Sequence, residues 1–99
     1  MKDLCKLLGD CIDLLDEIYD YAMNENINKI RTLYSVLSNA INEVYITILS
    51  NGNEITPLII KQMEEMYDAY GIGDCIRVLD IAGFEMKPIL QQYLESIGE

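Results

Sequence analysis

The chain has 99 residues, 51% of them hydrophobic, which predicts a single domain over residues 1–99 with enough apolar material for a core. Seven basic residues face seventeen acidic ones and histidine is absent, so the net charge is −10. Phosphate backbones and anionic lipids repel such a surface, which argues against direct nucleic-acid binding and against attachment to a membrane.

The first predicted helix covers residues 2–23 and combines a wide apolar face with an acidic one. Apolar residues recur at three- and four-residue steps, the spacing typical of an amphipathic helix. This stripe contains Leu4, Leu8, Cys11, Leu15, Ile18 and Ala22. The opposite, acidic face includes Asp10, Asp13, Glu17 and Asp20, which we interpret as a solvated surface.

The second predicted helix covers residues 27–49, with Asn26 as its N-cap. One of its faces carries mostly small, neutral polar residues: Ser35, Ser38, Asn39 and Asn42, with Ile46 among them. Small side chains allow another surface to approach closely. We therefore expect this face to contact either another helix of the same domain, or a partner or second copy of the chain.

Three further helices are predicted in the rest of the chain, over residues 57–70, 74–86 and 88–97. Gly52 suits a helix end, Thr56 suits an N-cap before Pro57, and Asp74 suits the cap of the fourth helix. Pro88 cannot donate a backbone hydrogen bond and disfavours the α conformation in the residue before it, which predicts a kink or break that folds the last helix back. No alternating strand pattern appears, so we predict an all-α fold, an antiparallel bundle of four to five helices.

Phe84 is the feature that this arrangement explains least. On a helical wheel it falls with Arg77, Asp80 and Lys87, away from the apolar stripe. It fills the elbow between the last two helices, or it is an aromatic anchor for a partner, ringed by charges as at interface hot spots. In the second interpretation, Phe84, Arg77, Asp80, Glu85 and Lys87 form one contact surface.

The residues offer little for catalysis. Without histidine the usual general base is missing, and the three cysteines contain no CxxC pair, which favours buried thiols in a reducing cytoplasm. No calcium loop or phosphate-binding glycine motif is complete, so we predict no catalytic residue, no metal site, no cofactor and no enzyme activity. Acids interrupt the first apolar run, and no run approaches the roughly 20 residues of a membrane span, so neither a signal peptide nor a transmembrane segment is expected.

The end of the chain resembles a tail of small helical proteins of Gram-positive bacteria. The shared pattern is D-x(5)-D-x(3)-F/Y-E-x-x-P-x-L, met here by Asp74, Asp80, Phe84, Glu85, Pro88 and Leu90. Similar domains accompany motility-associated glycosyltransferases, and the resemblance implies no catalytic residue. Gly83 departs from the pattern, since those tails usually carry glutamate there. The layout of long acidic helices also resembles flagellar export chaperones in shape.

These features predict a cytoplasmic, non-enzymatic protein–protein interaction module, an adaptor or chaperone-like helical bundle. Its partner would be another protein, basic or with an apolar pocket, and a homodimer through the Ser/Asn face is an open alternative. A different function is an acidic inhibitor of phage type, in which the acidic face imitates phosphates and blocks the basic groove of a nucleic-acid-binding enzyme. A third is a subunit that scaffolds catalysis by another chain.

Overall fold

In a computed structural model, residues 4–51 and 56–97 are described, and they form four helical stretches with no strand among them. The first three are α1 (Leu4–Met23), α2 (Ile27–Asn51) and α3 (Thr56–Gly71). The all-α prediction is therefore confirmed. The expected turn at Gly52 lies outside the described residues, and so does the side chain of Thr56, the expected cap of α3.

The fourth stretch runs without interruption from residue 75 to residue 97, and we call it the C-terminal helix. It consists of α4 (Cys75–Asp80), a π-helical segment (Ile81–Met86) and α5 (Lys87–Ile97). The predicted break at Pro88 is wrong, because Lys87 keeps α-helical torsions, with φ −57° and ψ −48°. In a regular α-helix the proline ring would meet the carbonyl four residues earlier. The wider π turn lies at that point and lets the helix continue.

Two side-chain caps fix where helices begin. The backbone N–H of Lys29 donates to Asn26 Oδ1 at 3.3 Å, and that of Arg77 donates to Asp74 Oδ1 at 3.0 Å. Both predicted caps are therefore confirmed. In the turn before Asp74, Gly73 has a φ of 77°, a left-handed conformation that glycine adopts without steric cost.

The helices pack around one apolar core. α1 lies against α2 on one side and along all three parts of the C-terminal helix on the other. α3 contacts α2, α4 and the π-helical segment. The radius of gyration is 13.0 Å, close to the roughly 13 Å of a compact chain of 100 residues. The largest fully buried side chains are Leu8, Leu15, Ile18, Ile30, Leu37, Val44, Met66, Val78, Ile81, Met86 and Leu90.

A cluster of three tyrosines joins α2 to α3. The ring of Tyr34 lies 5.0 Å from that of Tyr70 and 5.8 Å from that of Tyr67, measured between centroids. The Tyr34 hydroxyl donates to the backbone carbonyl of Met63 at 3.0 Å, so this half-buried polar group is satisfied. No helix within the described part of the chain is long and apolar enough to cross a membrane.

Candidate protein-binding surface

The π-helical segment changes the direction in which the later side chains of the C-terminal helix point around its axis. Arg77 and Glu85 are eight residues apart and would point in directions about 80° apart on a regular α-helix. One turn contains about one extra residue, so eight residues complete two full turns. The side chains of Arg77 and Glu85 therefore lie on the same side of the helix. There, Arg77 Nη1 donates to Glu85 Oε2, and Arg77 Nη2 donates to Glu65 Oε2 of α3 at 2.7 Å.

These contacts make a three-residue ion cluster between α3 and the C-terminal helix. The hydrogen bond to Glu85 is the main reason that the pKa of the Arg77 guanidinium is raised above its ordinary value, and Glu65 adds to it. Arg77 therefore stays cationic, and its charge is already matched inside the protein. Arg77 and Glu85, both predicted as partner contacts, thus also hold two helices together.

Gly83 sits where the C-terminal helix crosses the ring of Tyr19 from α1. A Cβ atom added at Gly83 would lie 2.6 Å from Tyr19 Cδ2 and 2.7 Å from Tyr19 Cε2. Any other residue at this position would have to displace the ring. This contact explains why glycine, which has no Cβ atom, fits at this position.

Phe84 projects from the surface and rests on the same tyrosine. Its side chain is 66% exposed, and its ring meets that of Tyr19 edge to face, with centroids 6.0 Å apart and planes at 75°. The interpretation that Phe84 fills an elbow is wrong, because the helix has no elbow there and the ring is mostly in solvent. Edge-to-face contact is an arrangement that aromatic pairs favour, so Tyr19 stabilises the exposed ring in this position.

Phe84 belongs to an exposed row that we call the ridge: Ile76, Asp80, Phe84 and Pro88. Residues four apart lie on the same side of a helix. Ile76 is 75% exposed, Pro88 is exposed and Asp80 is half-buried. Sequence reasoning missed Ile76 and Pro88 as surface residues, although their four-residue spacing from Asp80 and Phe84 was available as a signal. Nothing in the sequence alone indicated that Tyr19 supports the ridge.

Lys87 lies beside the ridge and connects it to α1. Its Nζ is 2.6 Å from Asp16 Oδ1, and its side chain is 29% exposed. On the other flank Arg77 pairs with Glu85 and with Glu65 of α3, so the ridge has charged pairs on both sides. The five residues predicted to form one contact surface therefore lie near one another, but only Phe84 and Asp80 belong to the ridge itself.

The predicted acidic face of α1 is solvent-exposed at Asp10, Asp13, Glu17 and Asp20. Lys6 approaches Asp10 at 3.7 Å in an exposed pair, which stabilises little because water screens it. Asp13, Glu17 and Asp20 form no ion pair within the described residues. This face is therefore a strip of largely uncompensated negative charge.

Among the described helices, none covers the small polar face of α2. Ser35, Ser38, Asn39 and Asn42 are exposed, and Ile46 is 60% exposed. The alternative in which this face packs inside the domain is therefore wrong.

Burial favours the neutral, unreactive form of the two buried thiols. Burial, with smaller contributions from Asp10 and Glu43, raises the pKa of Cys11 to about 12. Burial also raises the pKa of Cys75, so the start of α4 does not activate this thiol. No disulfide joins the cysteines of the described chain, and no group of three metal-ligating side chains occurs within it.

Alkaline pH should therefore destabilise the protein. The unfolded thiol titrates near pH ~8.5, and the folded state favours the neutral form of Cys11. Its contribution to stability is thus intact below about pH 8.5 and is lost as pH rises toward the folded pKa. We expect the urea midpoint to fall between about pH 9 and pH 11, with a shallower fall in Cys11→Ala. If the urea midpoint fell equally steeply with pH in that variant, other groups would cause the loss of stability.

No protein family, no curated protein and no solved structure matches this chain.

Proposed function

We propose that this protein is a cytoplasmic, non-enzymatic interaction module, an antiparallel helical bundle that binds another protein through the ridge centred on Phe84. The observation that supports this most is an aromatic ring that is 66% exposed and yet held by Tyr19. A ring fixed in place loses little conformational freedom when a partner covers it, so more of its burial energy contributes to binding.

The chemistry around the ridge indicates what the partner offers. Arg77 and Lys87 are matched by Glu85, Glu65 and Asp16. Because these charges are paired within the protein, the residues beside the ridge are polar but attract a charged partner little. An apolar pocket that accepts Phe84, with Ile76 and Pro88 beside it, therefore fits this surface better than a basic groove does.

Phe84→Ala should leave the fold intact and weaken partner capture at least about tenfold. The ring contributes little to the core because most of it is in solvent. The measurement is capture from the native host with tagged protein, quantified by mass spectrometry, alongside circular dichroism of each variant. Met23→Ala, which truncates a side chain that is 62% exposed on α1, is the matched control. If Phe84→Ala captured the partner as well as wild type, or if Met23→Ala lost capture equally, the ridge would be ruled out as the binding surface.

The exposed strip of Asp10, Asp13, Glu17 and Asp20 supports the second candidate, an acidic inhibitor that occupies a basic groove. Salt dependence separates the two functions. Affinity through exposed carboxylates falls steeply as salt rises, whereas affinity through a buried aromatic ring changes little.

The exposed Ser/Asn face with Ile46 supports self-association as a further property. Sedimentation velocity of wild type and of Ile46→Ser over a range of concentrations tests it.

A further inference from the structure

A groove of about 500 Å³ runs between α1 and α2, on a part of the surface that the ridge does not occupy. Its apolar lining is Leu14 from α1 with Val36 and Ala40 from α2. Val36 is 48% exposed, and the other two are half-buried. The floor thus leaves apolar surface in water that a partner could remove from it.

The α1 side of this groove is an acidic wall. Asp10, Asp13, Asp16 and Glu17 line it. Asp16 pairs with Lys87 and Asp10 approaches Lys6, but Asp13 and Glu17 have no ionic partner within the described chain. Since these two are four residues apart, their Cα atoms lie about 6 Å apart along the helix. Cations one helical turn apart on a partner would match this spacing.

The two residues that α2 contributes to the lining, Val36 and Ala40, are uncharged. Ser35 and Asn39 are exposed and lie next to Val36 and Ala40 in the chain. Their short side chains leave room for a helix to approach at the 8–10 Å axis distance typical of packed helices. Because all four carboxylates of the lining belong to α1, the cations of a partner are attracted to that wall, which would fix the orientation of a bound helix.

We propose that this groove is a docking site for a basic amphipathic helix of another protein. A narrow row of small apolar side chains on the partner helix packs against Val36 and its neighbours. Lys or Arg residues one turn apart on the same helix pair with Asp13 and Glu17. Nucleic acid and anionic lipid are excluded by the acidic wall. This second surface does not depend on the proposed role of Phe84.

The test uses a fluorescein-labelled amphipathic peptide of about 18 residues, or five turns, with alanine and leucine on one face and lysine along one side. Fluorescence anisotropy at physiological salt measures its binding. Asp13→Asn with Glu17→Gln should weaken it about fivefold to tenfold. Glu64→Gln with Asp68→Asn removes the same charge from two exposed acids of α3 and should change the affinity less than about twofold. Val36→Ser should weaken binding, and Leu58→Ser, at a side chain of similar exposure on α3, should not.

Several results would overturn the proposal. Equal weakening by the two acid-neutralised variants would show attraction to net charge rather than a site. Equal binding of a peptide with glutamate in place of lysine, or an unchanged affinity in Val36→Ser, would also exclude it. Concentration-dependent dimerisation that Val36→Ser abolishes would identify a second copy as the occupant instead. Phe84→Ala should leave peptide binding unchanged, so the experiments distinguish a failure of the groove proposal from a failure of the ridge proposal.

Discussion

Leu90→Ala should lower the free energy of unfolding by about 2–5 kcal/mol, the range measured for fully buried leucines. Leu90 is 0% exposed and lies in α5, after Pro88, where the C-terminal helix packs along α1. Removing its branched end leaves a cavity that neighbouring side chains fill only in part. Urea denaturation followed by circular dichroism gives the free-energy difference directly.

Leu58→Ala is the matched control, because it makes the same truncation at a side chain that is 47% exposed. We expect it to cost less than about 1 kcal/mol. If Leu90→Ala were as mild as Leu58→Ala, the residues after Pro88 would not be packed on α1.

Overpacking in Gly83→Ala should cost about 1–3 kcal/mol, which leaves a net destabilisation of up to about 2 kcal/mol after the helix propensity of alanine is counted. The new methyl group would stand 2.6 Å from Tyr19 Cδ2, so the ring must leave its position on the helix. The effect opposes the roughly 1 kcal/mol that alanine normally gains over glycine inside a helix. Thermal and urea unfolding measure the net change.

Gly9→Ala is the natural comparison, since Gly9 lies in α1 and a Cβ atom there meets nothing within 4 Å. It should stabilise the protein by about 0.5–1 kcal/mol. In a Tyr19→Ala background the penalty at Gly83 should disappear, which a double-mutant cycle would show. A stabilising Gly83→Ala in the wild-type background would mean that Tyr19 does not lie on the helix.

Local patterns in the sequence predicted much of the fold. The apolar stripe of α1 was read from three- and four-residue steps, and five of its members are buried: Leu8, Cys11, Leu15, Ile18 and Ala22. The caps at Asn26 and Asp74 were likewise predictable, because a side chain that bonds the first turn depends only on residues close in sequence.

The C-terminal helix could not be predicted in the same way, because a helical wheel assumes one constant rotation per residue. The π turn breaks that assumption within Ile81–Met86. On such a wheel Leu79 falls on the inward side with Cys75, Ala82 and Met86, but it is half-buried, whereas Val78 is fully buried. The widened turn before Pro88 contains Gly83, which lies against Tyr19, a residue 64 positions away in the chain. Only tertiary structure shows such a contact.

The most direct test of the ridge is photo-crosslinking in the native host. A benzophenone derivative of phenylalanine replaces Phe84 in one variant and Gln92, an exposed residue of α5, in another. The account predicts one discrete covalent adduct with a partner protein at position 84 and none at position 92. No adduct at position 84, or the same adducts at both positions, would contradict it.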